Sequence, residues 1–308
     1  MSVTIRAEIV DLDRLIPRAV DAEHADVAAL IPWVFWNADV APRDCADDWS
    51  GEDWQFRHFF YSLEGYTYDF NEESTPNTGI TAALKANETI ILPRKSWKVP
   101  AQEYLRGPIQ SQGMMLYSLI NMIYMKLEGI CEHGPKVRLE LPTVQKYVIG
   151  GKRFASKTAG AATVMLKDSF IPIISFTGWF EGQTWDQFLM ETLSIMLGHL
   201  ARNLPRSGEL QDQEVYTVGF HGSYLHIGHG LFPADTIKRV HIKGFSSEEV
   251  FDMRFSRSYN LYLKKDWLEA MRALSRLFRY LLSGEAKVSV IQAYRRGEND
   301  TEASNLET

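Results

Sequence analysis

Apolar residues recur at helical spacing in three stretches of this chain. Residues 114–127 are apolar almost all round, with Met115, Leu116, Leu119, Ile120, Met122, Ile123 and Leu127 among them. That pattern predicts a helix buried on most faces. Residues 185–200 carry a single stripe of Trp185, Phe188, Leu189, Leu193, Met196, Leu197 and Leu200. Thr184 supplies an N-cap with Gln187 at the capping-box position, and Pro205 and Gly208 stop the helix. Residues 267–282 repeat the stripe through Trp267, Met271, Leu274, Phe278 and Leu281, and Gly284 ends it. Between the helices the period falls to two. Val137, Leu139 and Leu141 alternate with Arg138 and Glu140, which predicts a half-buried strand. Tyr147, Val148, Ile149 and Phe154 flank Gly150-Gly151, a hairpin signal. Residues 163–166 form a short strand, 167–169 a turn, and 170–176 a central strand buried on both faces. Residues 215–232 read as a hairpin turning at His221-Gly222-Ser223, and 239–245 as a further strand.

The first third is less regular. Residues 1–30 mix charge with small apolar residues and read as an arm or a short helix pair. Residues 31–70 crowd Trp33, Phe35, Trp36, Trp49, Trp54, Phe59, Phe60, Tyr61 and Tyr68 among acids. They read as aromatic anchors pinning a loop-rich segment to the body. The acids argue against a base-stacking platform, which normally sits in a positive groove. Residues 71–108 are rich in turn formers, with one short strand at 89–92 and a basic cluster, Arg94, Lys95 and Lys98, around Trp97. The expected organisation is an aromatic-rich N-terminal extension (1–108) packed on an α/β core (109–283), then a C-terminal tail (284–308) that is largely disordered.

Composition narrows the class. A chain of 308 residues with 45% hydrophobic and 23% charged residues is an ordinary globular sequence. The net charge of −6 excludes a surface that coats nucleic acid all over, while leaving room for a local basic groove. Two cysteines, Cys45 and Cys131, make no disulfide framework and point to a reducing compartment. With no secretory leader and no apolar run of membrane-spanning length, an intracellular chain, cytoplasmic or nuclear, with no membrane partner is expected.

Motifs of familiar chemistry are missing. There is no phosphate loop, no Gly-x-Gly-x-x-Gly, no nucleophile elbow and no Cys-x-x-Cys. His221, His226 and His229 fall close together, with His241 nearby. His226 and His229 differ by an odd number, so a strand would send them to opposite faces. They read as ordinary strand or surface histidines.

The order of elements carries more. Helix, strand, hairpin strands, central strand, helix, strand and closing helix resembles the αβββαβ core of the PD-(D/E)XK nuclease superfamily. The stretch from Ile171 onward resembles fungal PD-(D/E)XK nuclease-like proteins. Ile171-Pro172-Ile173-Ile174-Ser175-Phe176-Thr177 sits where the family has its Glu-x-Lys strand, and Trp185-Asp186-Gln187-Phe188 where it has a Gln-containing helix start. Residues 215–232 match its hairpin, and 259–282 its polar loop and Leu-rich helix. The likeness covers roughly residues 110–283. It implies a central mixed β-sheet flanked by helices, and a site where carboxylates hold Mg or Mn, the metal activates water, and a lysine orients it.

Here the motif positions read Ala161, Ser175 and Thr177. Neutral hydroxyls cannot replace anionic ligands on a hard divalent ion. A displaced site would draw on Glu140, Asp168 and Glu181. Lys152 and Lys157 beside the hairpin join Arg94, Lys95 and Lys98 as phosphate-contact candidates. The leading expectation is a nuclease-fold protein without metal chemistry that binds nucleic acid or a protein partner. Two alternatives stay open: an active Mg- or Mn-dependent nuclease with displaced ligands, and an assembly protein using its aromatic first half as an interface.

Overall fold

A computed structural model of the chain describes residues 2–18, 22–51, 53–69, 80, 88–91, 106–127, 135–140, 144–166, 169–179, 182–204, 209–246 and 249–296. Its centre is a mixed sheet. The strands are β1 (Ser2–Ile9), β2 (Glu88–Ile91), β3 (Val137–Glu140), β6 (Ala161–Leu166), β7 (Ser169–Gly178), β8 (Gln213–His221), β9 (Tyr224–Phe232) and β10 (Val250–Phe255). Among the described residues they lie in the order β2-β1-β10-β9-β8-β7-β6-β3, with β11 (Tyr259–Asn260) pairing β9. A separate two-stranded ribbon joins β4 (Val144–Ile149) to β5 (Lys152–Lys157).

The helices are α1 (Leu12–Leu15), α2 (Glu23–Ala29), α3 (Trp54–Asp69), α4 (Arg106–Lys126), α5 (Trp185–Asn203), α6 (Ala234–Lys243), α7 (Lys264–Ser283) and α8 (289–296). β3, β6 and β7 form an antiparallel meander. The chain then crosses through α5 to β8, which lies parallel to β7. No described helix is long and apolar enough to cross a membrane.

Alternation along β8 and β9 sorts the two faces. Tyr216, Val218, Phe220, Leu225 and Ile227 join the core made with α3, α4 and α7. Val215 and Phe232 join the core made with α5, α6, β1, β10 and the ribbon. Trp267 of α7 centres the first core. It stacks on Phe60 at 5.3 Å, meets Phe35, Phe56 and Phe59 in tilted pairs, and donates its indole N–H to the Leu30 carbonyl at 2.8 Å. Of the aromatics expected to anchor residues 31–70, Phe35, Trp49, Phe56, Phe59, Phe60 and Tyr66 are buried, whereas Trp36, Trp54, Tyr61 and Tyr68 are exposed.

Four expectations need correction. Residues 54–69 are a helix, not a loop-rich segment; Phe56, Phe59, Phe60, Leu63 and Tyr66 bury at helical spacing. Residues 2–9 are neither arm nor helix. Val3, Ile5 and Ala7 face the core while Thr4, Arg6 and Glu8 face out, and β1 sits inside the sheet between β2 and β10. β1 and β2 therefore extend the sheet that α3 helps to cover. Residues 234–243 are a helix where a strand was expected at 239–245. Ile237 and Val240, three apart, bury, and Ile242 stays exposed. Finally, 284–296 is ordered: Ala286, Val288 and Ile291 are buried, and the Lys287 backbone N–H donates to Glu214 at 2.9 Å.

Candidate functional site

The three motif positions lie side by side. Ala161 of β6 pairs Ser175 of β7, which pairs Thr217 of β8; Thr177 pairs Gly219, which pairs His226 of β9. Ser175 and Thr177 face α5, because Ile174 and Phe176 take the opposite face against the core that contains α4. Ser175 Oγ is 2.9 Å from His199 Nδ1 of α5, and both side chains are wholly buried. Burial, helped by the charge of Arg202, pushes His199 down to about 3. Burial and His221 likewise push His226 down to about 3. Both imidazoles are neutral at neutral pH.

Thr177 Oγ1 and both ring nitrogens of His226 are buried without a partner among the described residues. They crowd Gly219, where an added Cβ would lie 2.6 Å from Thr177 Oγ1 and 2.8 Å from His226 Nε2. Among the described residues this patch presents hydroxyls and neutral imidazoles. Holding a divalent ion there would lack the anionic oxygens such ions require.

Glu140 ends β3 and is engaged elsewhere. Arg202 of α5 grips it at 2.9 and 3.4 Å and also donates to the Phe170 carbonyl at 2.6 Å. Asp168 and Glu181 lie outside the described residues. Among the described residues no group of three or more His, Cys, Asp or Glu is placed to hold a metal.

Histidines 226 and 229 take opposite faces, as the odd spacing implies. His229 Nε2 lies 3.2 Å from Glu214, which also accepts from the Tyr280 hydroxyl at 2.8 Å. Burial alone would raise Glu214; contacts with His229, Lys287 N–H and Tyr280 hold it below its usual value.

A different arrangement concentrates charge. The ribbon lies across the outside of α5: Tyr147 and Ser194 share a 2.6 Å hydrogen bond, and Gln145 and Ser156 pack against Gly198. The apolar inward set Tyr147, Ile149 and Phe154 is buried. This is why α5, read from sequence as one-sided, is buried on both sides, with Thr192, Ser194 and His199 enclosed. Gly150 (φ 56) and Gly151 (φ 71) both adopt the left-handed conformation that a tight hairpin turn needs.

The outward positions of the ribbon carry Lys146, Arg153 and Lys157, with Lys152 at the turn, and all four are exposed. None of them forms an ion pair with a described residue. The turn is bonded to the carbonyls of Val240 and His241, which brings the α6 end bearing exposed Lys243 alongside. The sequence signal was available: from Glu140 to Asp168 there is no acid, only Lys146, Lys152, Arg153, Lys157 and Lys167. Arg94, Lys95 and Lys98 lie outside the described residues.

The sequence matches no protein-family model and has no significant match among curated proteins.

Proposed function

We propose that this chain binds nucleic acid through the outward face of the β4–β5 ribbon and does not cleave it. The observation that carries the reading is the ribbon itself, where four exposed cations with no ion-pair partner among the described residues stand on one two-stranded element in a chain of net charge −6. Unpaired Lys and Arg attract phosphates by releasing counterions, and a two-stranded β-ribbon has the width to enter a major groove. The meander β3-β6-β7 followed by α5 and parallel β8, with α4 and α5 on opposite faces, resembles the element order of a PD-(D/E)XK core. That likeness supports a nucleic-acid context. The non-cleaving part rests on buried, neutral Ser175 and Thr177 and on Glu140 being held by Arg202.

The test is a gel-shift titration of labelled duplex DNA, duplex RNA and single-stranded RNA, with Mn²⁺ present in a parallel set. Four phosphate contacts predict a weakening on the order of 100-fold between 50 and 200 mM salt. Lys146→Glu/Arg153→Glu/Lys157→Glu should abolish the shift. Salt-independent binding, or binding unaffected by the triple change, refutes the surface. Mn²⁺-dependent nicking that disappears in Glu140→Ala refutes the non-cleaving part and restores the displaced-ligand nuclease.

A further inference from the structure

The opposite side of the molecule carries a second unpartnered surface. α3 and α4 lie antiparallel, tied by Lys126 to Asp53 at 2.7 Å, Ser118 to His58 at 2.9 Å, and Ser111 to Asp69. Their inward faces bury the aromatic core. Their outward faces are not polar. Trp54, Tyr61 and Tyr68 recur every seventh residue along α3 and are 66%, 67% and 86% exposed. Met114, Tyr117 and Met125 of α4 are exposed beside them. Seven residues are two helical turns, so the three rings form one stripe about 21 Å long.

A groove of about 820 Å³ runs beside this stripe between the two helices. Its described lining includes three carboxylates, Asp47, Glu64 and Asp69, and no lysine or arginine. Lys126 nearby is neutralised by Asp53, and Arg57 turns to the Ala46 carbonyl. Gly65 sits mid-helix in the groove wall, and a Cβ added there would meet nothing. Glycine weakens a helix interior, and at this position it leaves open space in the groove wall where another backbone could approach.

We propose that this α3/α4 face docks an amphipathic helix of a protein partner that carries lysine or arginine beside its apolar stripe. Large exposed apolar patches on a folded chain mark interaction sites, and helix-in-groove recognition uses anchors at this spacing. The carboxylates select a cationic partner, and the tyrosines offer ring faces to its cations. A second copy of this chain is the poorer occupant, since a symmetric pairing would set the three carboxylates against themselves. The proposal is independent of nucleic-acid binding, because the ribbon lies across the sheet from α3 and α4.

The probe is a fluorescein-labelled 14-residue amphipathic helix of leucine and lysine, compared with the same peptide carrying glutamate for lysine. Anisotropy should show the lysine peptide binding at least tenfold tighter. Tyr61→Ala/Tyr68→Ala and Asp47→Asn/Glu64→Gln/Asp69→Asn should each weaken it at least tenfold, and Gly65→Leu should block it. Asp47, Tyr61, Gly65, Tyr68 and Asp69 are exposed and Glu64 is half-buried, so circular dichroism should be unchanged. Equal affinity for the two peptides overturns the proposal, as does indifference to the tyrosine pair. Light scattering supplies the remaining arm: a dimer that Tyr61→Ala/Tyr68→Ala dissociates overturns it in favour of a second copy. The same variants should keep the gel shift of the wild type, so failure of either reading is separable from failure of the other.

Discussion

Ser175 Oγ and His199 Nδ1 face each other at 2.9 Å in a position no solvent reaches. The resemblance puts a metal-binding glutamate at that place. Ser175→Glu therefore asks what the site can hold. A carboxylate there would be buried beside a neutral imidazole, so we expect a loss of about 3 kcal/mol or more of stability. Urea unfolding measures it, and no Mn²⁺-dependent cleavage should appear. Wild-type stability combined with Mn²⁺ binding would mean the patch is open to a metal.

Acid should weaken the fold through the same layer. His199 and His226 are each held near 3, chiefly by burial, whereas an unfolded histidine titrates near 6.5. Between those values the unfolded chain binds more protons than the folded one. Stability is thus complete above about pH 6.5 and falls as pH drops through the window, by up to about 1.4 kcal/mol per pH unit for each histidine. Urea midpoints at pH 7.5, 6, 5 and 4.5 check this, and His226→Gln should flatten the dependence. A midpoint constant from pH 7.5 to 4.5 contradicts it.

Gly198 holds the ribbon close to α5. Alanine there gains about 1 kcal/mol of helix propensity, but its Cβ would stand 2.6 Å from Ser156 Oγ and 2.7 Å from Gln145 Cβ. Overpacking of this kind costs about 1–3 kcal/mol, so the net effect of Gly198→Ala is destabilising. Limited trypsin digestion should cut sooner after Lys152 or Arg153. Unchanged digestion would place the ribbon's anchorage elsewhere.

Arg279 of α7 grips Asp26 of α2 through two 2.6 Å contacts, and Asp26 is nearly inaccessible. Arg279→Met should cost about 3 kcal/mol by stranding that carboxylate. Arg279→Met/Asp26→Leu should recover most of the loss, since an apolar pair leaves no buried charge. Denaturant midpoints of the two single variants and the double variant settle the coupling.

Legibility in the sequence followed periodicity. The helices at Trp185 and Trp267 and the Gly150-Gly151 hairpin were plain because one spacing dominated each. α3 was hidden because aromatics stand on both its faces, so Trp54, Tyr61 and Tyr68 blurred the buried set. α6 was misread because Arg239 to Ile242 alternate like a strand, although Ile237 and Val240 do the packing. β1 was obscured by charged outward residues whose partners are distant: Arg6 meets Asp252 and Glu8 meets Arg254 across β10. The positions of Ala161, Ser175 and Thr177 on adjacent strands were legible. Their enclosure was not, because the ribbon that seals α5 from outside is a tertiary event. Neither Arg202 on Glu140 nor Glu214 beside His229 has any local signal.

The insertion of β1 bears on how the molecule is made. Its parallel neighbour β10 begins near Val250, and Thr4 pairs with that residue. At synthesis rates of about 5–20 residues per second, the gap of roughly 250 residues keeps the first strand waiting for about 12–50 seconds. Its earlier neighbour, β2, offers only a two-stranded sheet, which is marginal alone. Loop closure over such a separation also slows folding once the chain is complete. An apolar strand edge of Val3, Ile5 and Ala7 therefore waits unsatisfied until β10 is made, and this stretch is a site for a chaperone on the nascent chain.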